Sequence, residues 1–219
     1  MPPPAKRGQL LFYRVARDIL AAFCRVYLRQ RLEGTEHLPE GPFVLAPVHR
    51  SNIDTPLVCA VTKRRLRFMG KETVWKYRQL GWALNALGGF PVHRGHADRE
   101  ALKRCLEVLD GGEPLVLFPE GTRQTGPLVK PLFEGAAYVA TRAGVPIVPV
   151  GIGGSARAMP KGARMPRPVR VHLIVGEPIL PDDVGPTGRA SRRAVHALSE
   201  RLRGELQRLF EEAEAKAGA

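Results

Sequence analysis

An α/β fold, with a mixed, largely parallel sheet flanked by helices, is predicted by three features of this 219-residue chain. Short apolar runs of strand length recur along it, helical periodicities fall between them, and a basic amphipathic segment precedes the first run. The length suits one sizeable core rather than two large domains. We therefore divide the chain into an N-terminal amphipathic segment, 1–38, and an α/β domain, 39–219.

From about Gly8 to Arg31 the spacing predicts a helix. Leu11, Val15, Ile19, Ala22, Phe23 and Val26 alternate with Arg14, Arg17, Arg25 and Arg29. Its uncharged stretches, Gly8 to Tyr13 and Ile19 to Cys24, fall far short of the about twenty apolar residues that cross a bilayer. Periodicity fits equally an interfacial helix, lying on a membrane with its arginines at anionic lipid, and a surface helix packed on the domain's own core. Arg14, Arg17 and Asp18 interrupt the apolar stretch, so no signal peptide is expected.

The run PFVLAPV, Pro42 to Val48, reads as a strand ending at His49, with a helix beginning near Asp54. Further strands are expected at Leu66 to Met69, Leu115 to Phe118, Ile147 to Ile152 and Val169 to Val175. Helices are expected at Ala97 to Leu109 and Glu134 to Ala143. A long charged helix from about Arg189 to Ala217 carries its apolar spacing on Val195, Leu198, Leu202, Leu206 and Leu209. Pro160 to Pro168 and Pro178 to Pro186 read as exposed loops. The segment Val74 to Leu87, with Trp75, Trp82, Leu84 and Leu87, reads either as the wall of an apolar channel or as ordinary core.

A formal net charge of +13 and a pI near 10.4 draw the chain to anionic partners, whether phospholipid head groups, nucleic acid or phosphorylated substrates. Aromatic residues make up only 6% of the chain, which leaves few stacking platforms, and no nucleic-acid motif is present, so no nucleic acid is expected as a partner. Cys24, Cys59 and Cys105 are widely spaced without a C-x-x-C pair and read as reduced, mostly buried residues.

Three blocks carry chemistry: HRSNID at His49 to Asp54, FPVHRG at Phe90 to Gly95, and FPEGTR at Phe118 to Arg123. His49 is a candidate general base, since imidazole titrates near neutral pH, and Asp54 is placed to orient it by accepting from the other ring nitrogen. Spacing alone favours a strand end followed by a helix cap, and only the company of the other two blocks reverses that reading. Arg94 and Arg123, each beside glycine in a loop, are candidate phosphate clamps because a guanidinium offers paired donors. The Gly121 and Thr122 amides are candidate additional donors. Glu120 would repel a phosphate, so its expected tasks are holding Arg123 or accepting a substrate hydroxyl. Ser51 and Asn52 are candidates to orient His49 or to donate toward an oxyanion. His93 and His96 invite a metal reading with His49, but the ligand grouping is loose and a carboxylate or thiolate partner is missing, so no metal is expected.

Taken in order, and with VPIVPV at Val145 to Val150 as a fourth element, the blocks resemble the glycerolipid acyltransferase family, whose best-known members are 1-acylglycerol-3-phosphate acyltransferases. The resemblance covers roughly residues 40 to 180. It implies transfer of a fatty acyl group from acyl-CoA or acyl carrier protein to lysophosphatidate, giving phosphatidate. His49 is then the base and the substrate hydroxyl the direct nucleophile, with neither acyl-enzyme nor cofactor. It also implies acceptor binding by Glu120, Gly121 and Arg123, places Lys71 where similar sequences carry a lysine, and favours the interfacial helix on the cytoplasmic face of a membrane. Two alternatives stay open: another acceptor, such as glycerol 3-phosphate or a different lysolipid, and a non-catalytic basic lipid- or nucleic-acid-binding protein.

Overall fold

The structure, a computed structural model, describes residues 7–92, 99–182 and 191–218. Its strands are β1 (Arg31–Glu33), β2 (Val44–Pro47), β3 (Arg67–Lys71), β4 (Gly89–Val92), β5 (Leu115–Val116), β6 (Ile147–Gly153) and β7 (His172–Val175). They form one sheet in the order β1-β7-β6-β2-β5-β3-β4, in which every neighbouring pair is parallel except β6 with β7. The sheet is thus mixed and largely parallel, as its apolar runs predict. Strands β2 and β6 are buried at every position, as strands covered on both faces should be.

The helices are α1 (Arg7–Val26), α2 (Asp54–Cys59), α3 (Arg78–Ala86), α4 (Arg99–Asp110), α5 (Gly135–Ala143), α6 (Ser155–Ala158) and α7 (Arg192–Gly218). Helix α7 buries Val195, Leu198, Leu202, Leu206 and Leu209, the apolar spacing read from the sequence. It lies against β6 at main-chain distance because that strand carries two glycines. A Cβ on Gly151 would stand 2.3 Å from the Leu209 carbonyl oxygen, and one on Gly153 2.1 Å from the Ala213 backbone. Close approach of strand and helix therefore selects glycine there.

Among the stretches that differ from the sequence reading, two bear on the sheet edges. The first helix ends at Val26, not near Arg31: Leu28 and Gln30 turn inward, Arg29 takes a positive φ of 47°, and Arg31–Glu33 joins the sheet edge beside β7. Three residues are too few to show strand periodicity, so long-range pairing decided that edge. The second is GFPV, which forms edge strand β4 next to β3, where Pro91 costs little because an edge strand has a free side. Trp75 packs against Gly70 and Gly89 of these strands and donates to Asn85 Oδ1 at 2.8 Å. Trp82 instead stands half exposed, with its ring 5.2 Å from that of Phe12 in α1.

Helix α1 turns Tyr13, Cys24 and, more loosely, Leu20 inward. The stripe Leu11, Val15, Ile19 and Val26 stays outside; Ile19 is 67% exposed where Tyr13 is 3% exposed. The apolar periodicity of this segment is therefore not the face that packs on the domain. Tyr13 fastens the helix to the domain, its hydroxyl donating to the Arg64 carbonyl at 2.9 Å and accepting from the Leu66 amide at 3.3 Å.

Burial pushes the Tyr13 phenol up to about 12, and the buried thiols of Cys24 and Cys105 up to about 11 and about 12. Because each folded value exceeds the unfolded one, each group's contribution to stability is complete below its unfolded value and is lost as pH rises toward its folded one. For Tyr13 the window is from about pH 10 to about 12. Urea midpoints across that range should fall more steeply for the native chain than for Tyr13→Phe; equal slopes would contradict this assignment.

Candidate active site

The site lies beyond the carboxyl ends of two adjacent parallel strands, β2 and β5, where open α/β sheets characteristically leave a crevice. His49 follows β2 by two residues and Glu120 follows β5 by four. Between His49 and α2 the chain wraps around one carboxylate oxygen. Asp54 Oδ2 accepts from the Arg50 amide at 2.6 Å and the Ser51 amide at 2.7 Å, and lies 2.9 Å from His49 Nδ1. The spacing in HRSNID is what this wrap requires: the carboxylate on the first helical residue reaches back to the amides four and three positions earlier and to the ring before them. The Asp54 side chain is fully buried, whereas that of His49 is partly open to solvent. An imidazole that donates from Nδ1 to a fixed carboxylate presents Nε2 as an acceptor. Its plane is further set by stacking on Phe118, ring centroids 4.2 Å apart.

A second buried pair supports the first. Arg50 Nη1 donates to Glu120 Oε1 at 2.7 Å and Oε2 at 2.6 Å, and the His49 amide donates to Oε1 at 2.9 Å. The Arg50 guanidinium also lies 4.6 Å above the Phe210 ring of α7 and donates to the Leu128 carbonyl at 3.3 Å. Glu120 therefore grips Arg50, not Arg123, and with its side chain fully buried it is committed inside the protein. The pairing could not be read along the sequence because Arg50 and Glu120 lie 70 positions apart and meet only when β2 and β5 are neighbours. Arg50 stands inside the HRSNID block, yet nothing in its spacing distinguishes it from a surface arginine.

The FPEGTR turn is also joined to the histidine segment. Gln124 donates from its amide to the His49 carbonyl at 2.9 Å, which holds Arg123 and its neighbours beside the histidine segment. Arg123 is exposed and its side chain makes no hydrogen bond or ion pair among the described residues. Two expected donors are already used within the turn. The Gly121 amide donates to the Phe118 carbonyl at 3.0 Å, and the Thr122 amide to the Glu120 carbonyl at 2.7 Å. Gly121 has a positive φ of 66°, and a Cβ there would meet the Phe133 ring at 2.7 Å, so the turn demands glycine. Asn52 is exposed and does not bond His49, while Ser51 Oγ donates to the Met159 carbonyl at 2.7 Å. Arg94, His93 and His96 lie outside the described residues, as does the side chain of Lys71. Among the described residues no group of three or more His, Cys, Asp or Glu side chains is arranged to hold a metal ion.

Residues 29–153, over half of the chain and spanning both buried pairs, match the family model described as Acyltransferase. The chain belongs to the Acyltransferase family. It is similar to the chloroplastic 1-acyl-sn-glycerol-3-phosphate acyltransferase BAT2 of Brassica napus, 29% identical over 158 residues, which are 70% of this chain and 46% of that protein. The 1-acyl-sn-glycerol-3-phosphate acyltransferase of Bacillus subtilis is 27% identical over 172 residues, 77% of this chain and 83% of its own. The crystal structure of the 1-acyl-sn-glycerophosphate acyltransferase PlsC from Thermotoga maritima resembles this fold with a TM-score of 0.75 at 26% identity, covering 95% of this chain and 88% of that one. The chain spans about half the length of the plant relatives it matches. In this Acyltransferase-family chain Glu120, paired with Arg50, holds the His49 amide while Asp54 holds its ring, so the histidine is fixed through both backbone and side chain.

Proposed function

We propose that this protein transfers a fatty acyl group from a thioester donor, acyl-CoA or acyl carrier protein, to the free hydroxyl of lysophosphatidate, giving phosphatidate. The observation that carries the reading is the His49–Asp54 pair, with Nδ1 2.9 Å from a carboxylate oxygen that two backbone amides hold in place. Asp54 keeps the proton on Nδ1, so Nε2 takes the proton of the acceptor hydroxyl as its oxygen attacks the thioester carbonyl. A carbon–oxygen bond forms, the carbon–sulfur bond then breaks, and the thiol leaves with the proton returned from Nε2. Asp54 stabilises the imidazolium between these steps. No acyl-enzyme is needed, since the acceptor's hydroxyl occupies the role a serine has in a protease.

Arg123 supplies a phosphate ligand. It is exposed, free of protein partners among the described residues, and tied to the base through Gln124. Arg94 is the second clamp, and Lys71 adds positive charge. Glu120 serves acceptor binding indirectly, by holding Arg50 and the His49 amide and so keeping the Arg123 turn in register with the base. Gly121 and Thr122 shape that turn. Asn52, exposed at the rim, faces substrate rather than His49.

The protein works on a membrane surface. Among the described residues no helix is long and apolar enough to cross a membrane. The exposed stripe of α1, together with the half-exposed Trp82, offers apolar area that enters a head-group boundary without spanning it.

The test is thiol release from palmitoyl-CoA by the purified protein in mild detergent, with lysophosphatidate, glycerol 3-phosphate, another lysolipid or no acceptor. Release that depends on lysophosphatidate is expected. Release with every acceptor absent, or only with an uncharged one, would overturn the proposed acceptor.

A further inference from the structure

We propose that the loop 160–168 is a second lipid-contacting element, in which Met165, flanked by Lys161, Arg164 and Arg167, docks on an anionic bilayer beside α1. The proposal rests on the reading of α1 as an interfacial helix and extends it to a surface distant in sequence.

Met165 is 75% exposed and adjoins Pro166, which Tyr27 holds, so with exposed Phe23, Val26 and Tyr27 it extends one apolar patch rather than standing singly on the surface. The three cations around it are exposed, and their side chains make no hydrogen bond or ion pair among the described residues. Arg203 and Arg208 of α7, by contrast, pair with Glu200 and Glu205. From Gly154 to Gly176 the chain contains no acidic residue, and the carboxylates that reach this stretch, Glu214 on Arg157 and Glu33 on His172, pair with residues outside the loop. An apolar tip between unpaired cations is the chemistry that a bilayer of anionic head groups accepts: the tip enters the boundary while the cations stay at phosphate level.

Continuity with α1 decides between a bilayer and a soluble anion. Just beyond α1, Tyr27 donates its hydroxyl to the Pro166 carbonyl at 3.1 Å, and Arg29 donates to the Pro168 carbonyl at 2.8 Å. Tyr27 in turn stacks on Phe23 of α1, centroids 5.1 Å apart and planes 16° from parallel. Phe23, Tyr27 and Val26 are exposed, so the apolar edge of α1 runs into the loop through direct contacts. The loop is held in shape by its own backbone, with the Arg167 amide donating to the Ala158 carbonyl at 2.7 Å. At its base, Met159 accepts from Ser51 Oγ in the histidine segment, so a loop seated on the bilayer anchors the site to the surface from which a lysolipid enters. A nucleotide phosphate would use the cations but leave the apolar edge that runs from α1 into the loop without a partner.

The experiment is co-sedimentation of the full chain with phosphatidylcholine vesicles, with and without added phosphatidylglycerol, at low and high salt. Each basic residue near an anionic surface contributes about 1 kcal/mol, so Arg164→Gln with Arg167→Gln should lower partitioning at low salt about 30-fold. Met165→Glu should lower it further, and high salt should shrink the effect of the two charges. These side chains touch no polar partner, so the variants should keep the native melting transition. Ile19→Glu is the control for α1. If the native chain ignores anionic vesicles, the α1 reading and this proposal fall together. If the native chain binds, Ile19→Glu does not, and the loop variants bind as the native chain does, α1 stands and the loop proposal is overturned. Undiminished vesicle binding by the loop variants, with a raised KM for palmitoyl-CoA, overturns it in favour of a donor site.

Discussion

Replacing His49 by alanine should lower kcat for acceptor-dependent thiol release by roughly 10²–10⁴-fold, the range a positioned general base contributes. The geometry says why the loss should fall on kcat. The ring is held from three directions, by Asp54 at Nδ1, by Phe118 at its face and by Glu120 through its own amide, so the imidazole is preorganised before substrate arrives. Its removal deletes the proposed acceptor of the hydroxyl proton but leaves Arg123 and its turn, which Gln124 still holds through the residue 49 carbonyl. KM for the acceptor should therefore change little. Asp54→Asn should also be impaired, since a neutral amide stabilises the imidazolium less than a carboxylate does. Native turnover by His49→Ala would remove the histidine from the chemistry. Normal kcat with a raised KM would make it a binding residue.

Glu120→Ala should destabilise the chain by about 3–5 kcal/mol, because it leaves the Arg50 guanidinium buried without its counter-charge. Both side chains of this pair are almost wholly buried, so solvent screening does not soften the loss. The paired change Arg50→Met with Glu120→Leu should recover most of that stability, as apolar replacement of a buried ion pair commonly does. It should not recover activity. The His49 amide would still lack its acceptor and the Leu128 carbonyl its donor, so the two segments bearing His49 and Arg123 would lose their common brace. Urea unfolding with parallel turnover measures both. A Glu120→Ala midpoint equal to that of the native chain would show that the pair contributes nothing to stability. Full activity in the double variant would remove its positioning role.

Strand and helix order was legible wherever apolar runs were long enough to show a period. PFVLAPV, VPIVPVGIGG and the leucine spacing of α7 lie close to where they were expected, because continuous burial and helical repeat are written in the residues themselves. Local chemistry was legible in the same way: the spacing of His49 and Asp54 brings them within hydrogen-bond distance through a wrap that needs only the intervening backbone. What stayed hidden depended on partners far away in the chain. Arg31–Glu33 becomes a strand because β7 offers it an edge, and Glu120 turns from Arg123 to Arg50 because β5 lies beside β2.

The sequence by itself determined the class of fold, the order of its longer elements and the family, since these rest on periodicity and on three blocks taken in order, and it offered His49 and Asp54 as a pair by their spacing. Only the tertiary structure decided which face of α1 stays exposed, which arginine Glu120 holds, and that Pro166 and Pro168 meet Tyr27 and Arg29. The physical reason is that burial and the partners of a charge depend on which segments the sheet makes neighbours, and that order is settled by the packing of the whole chain.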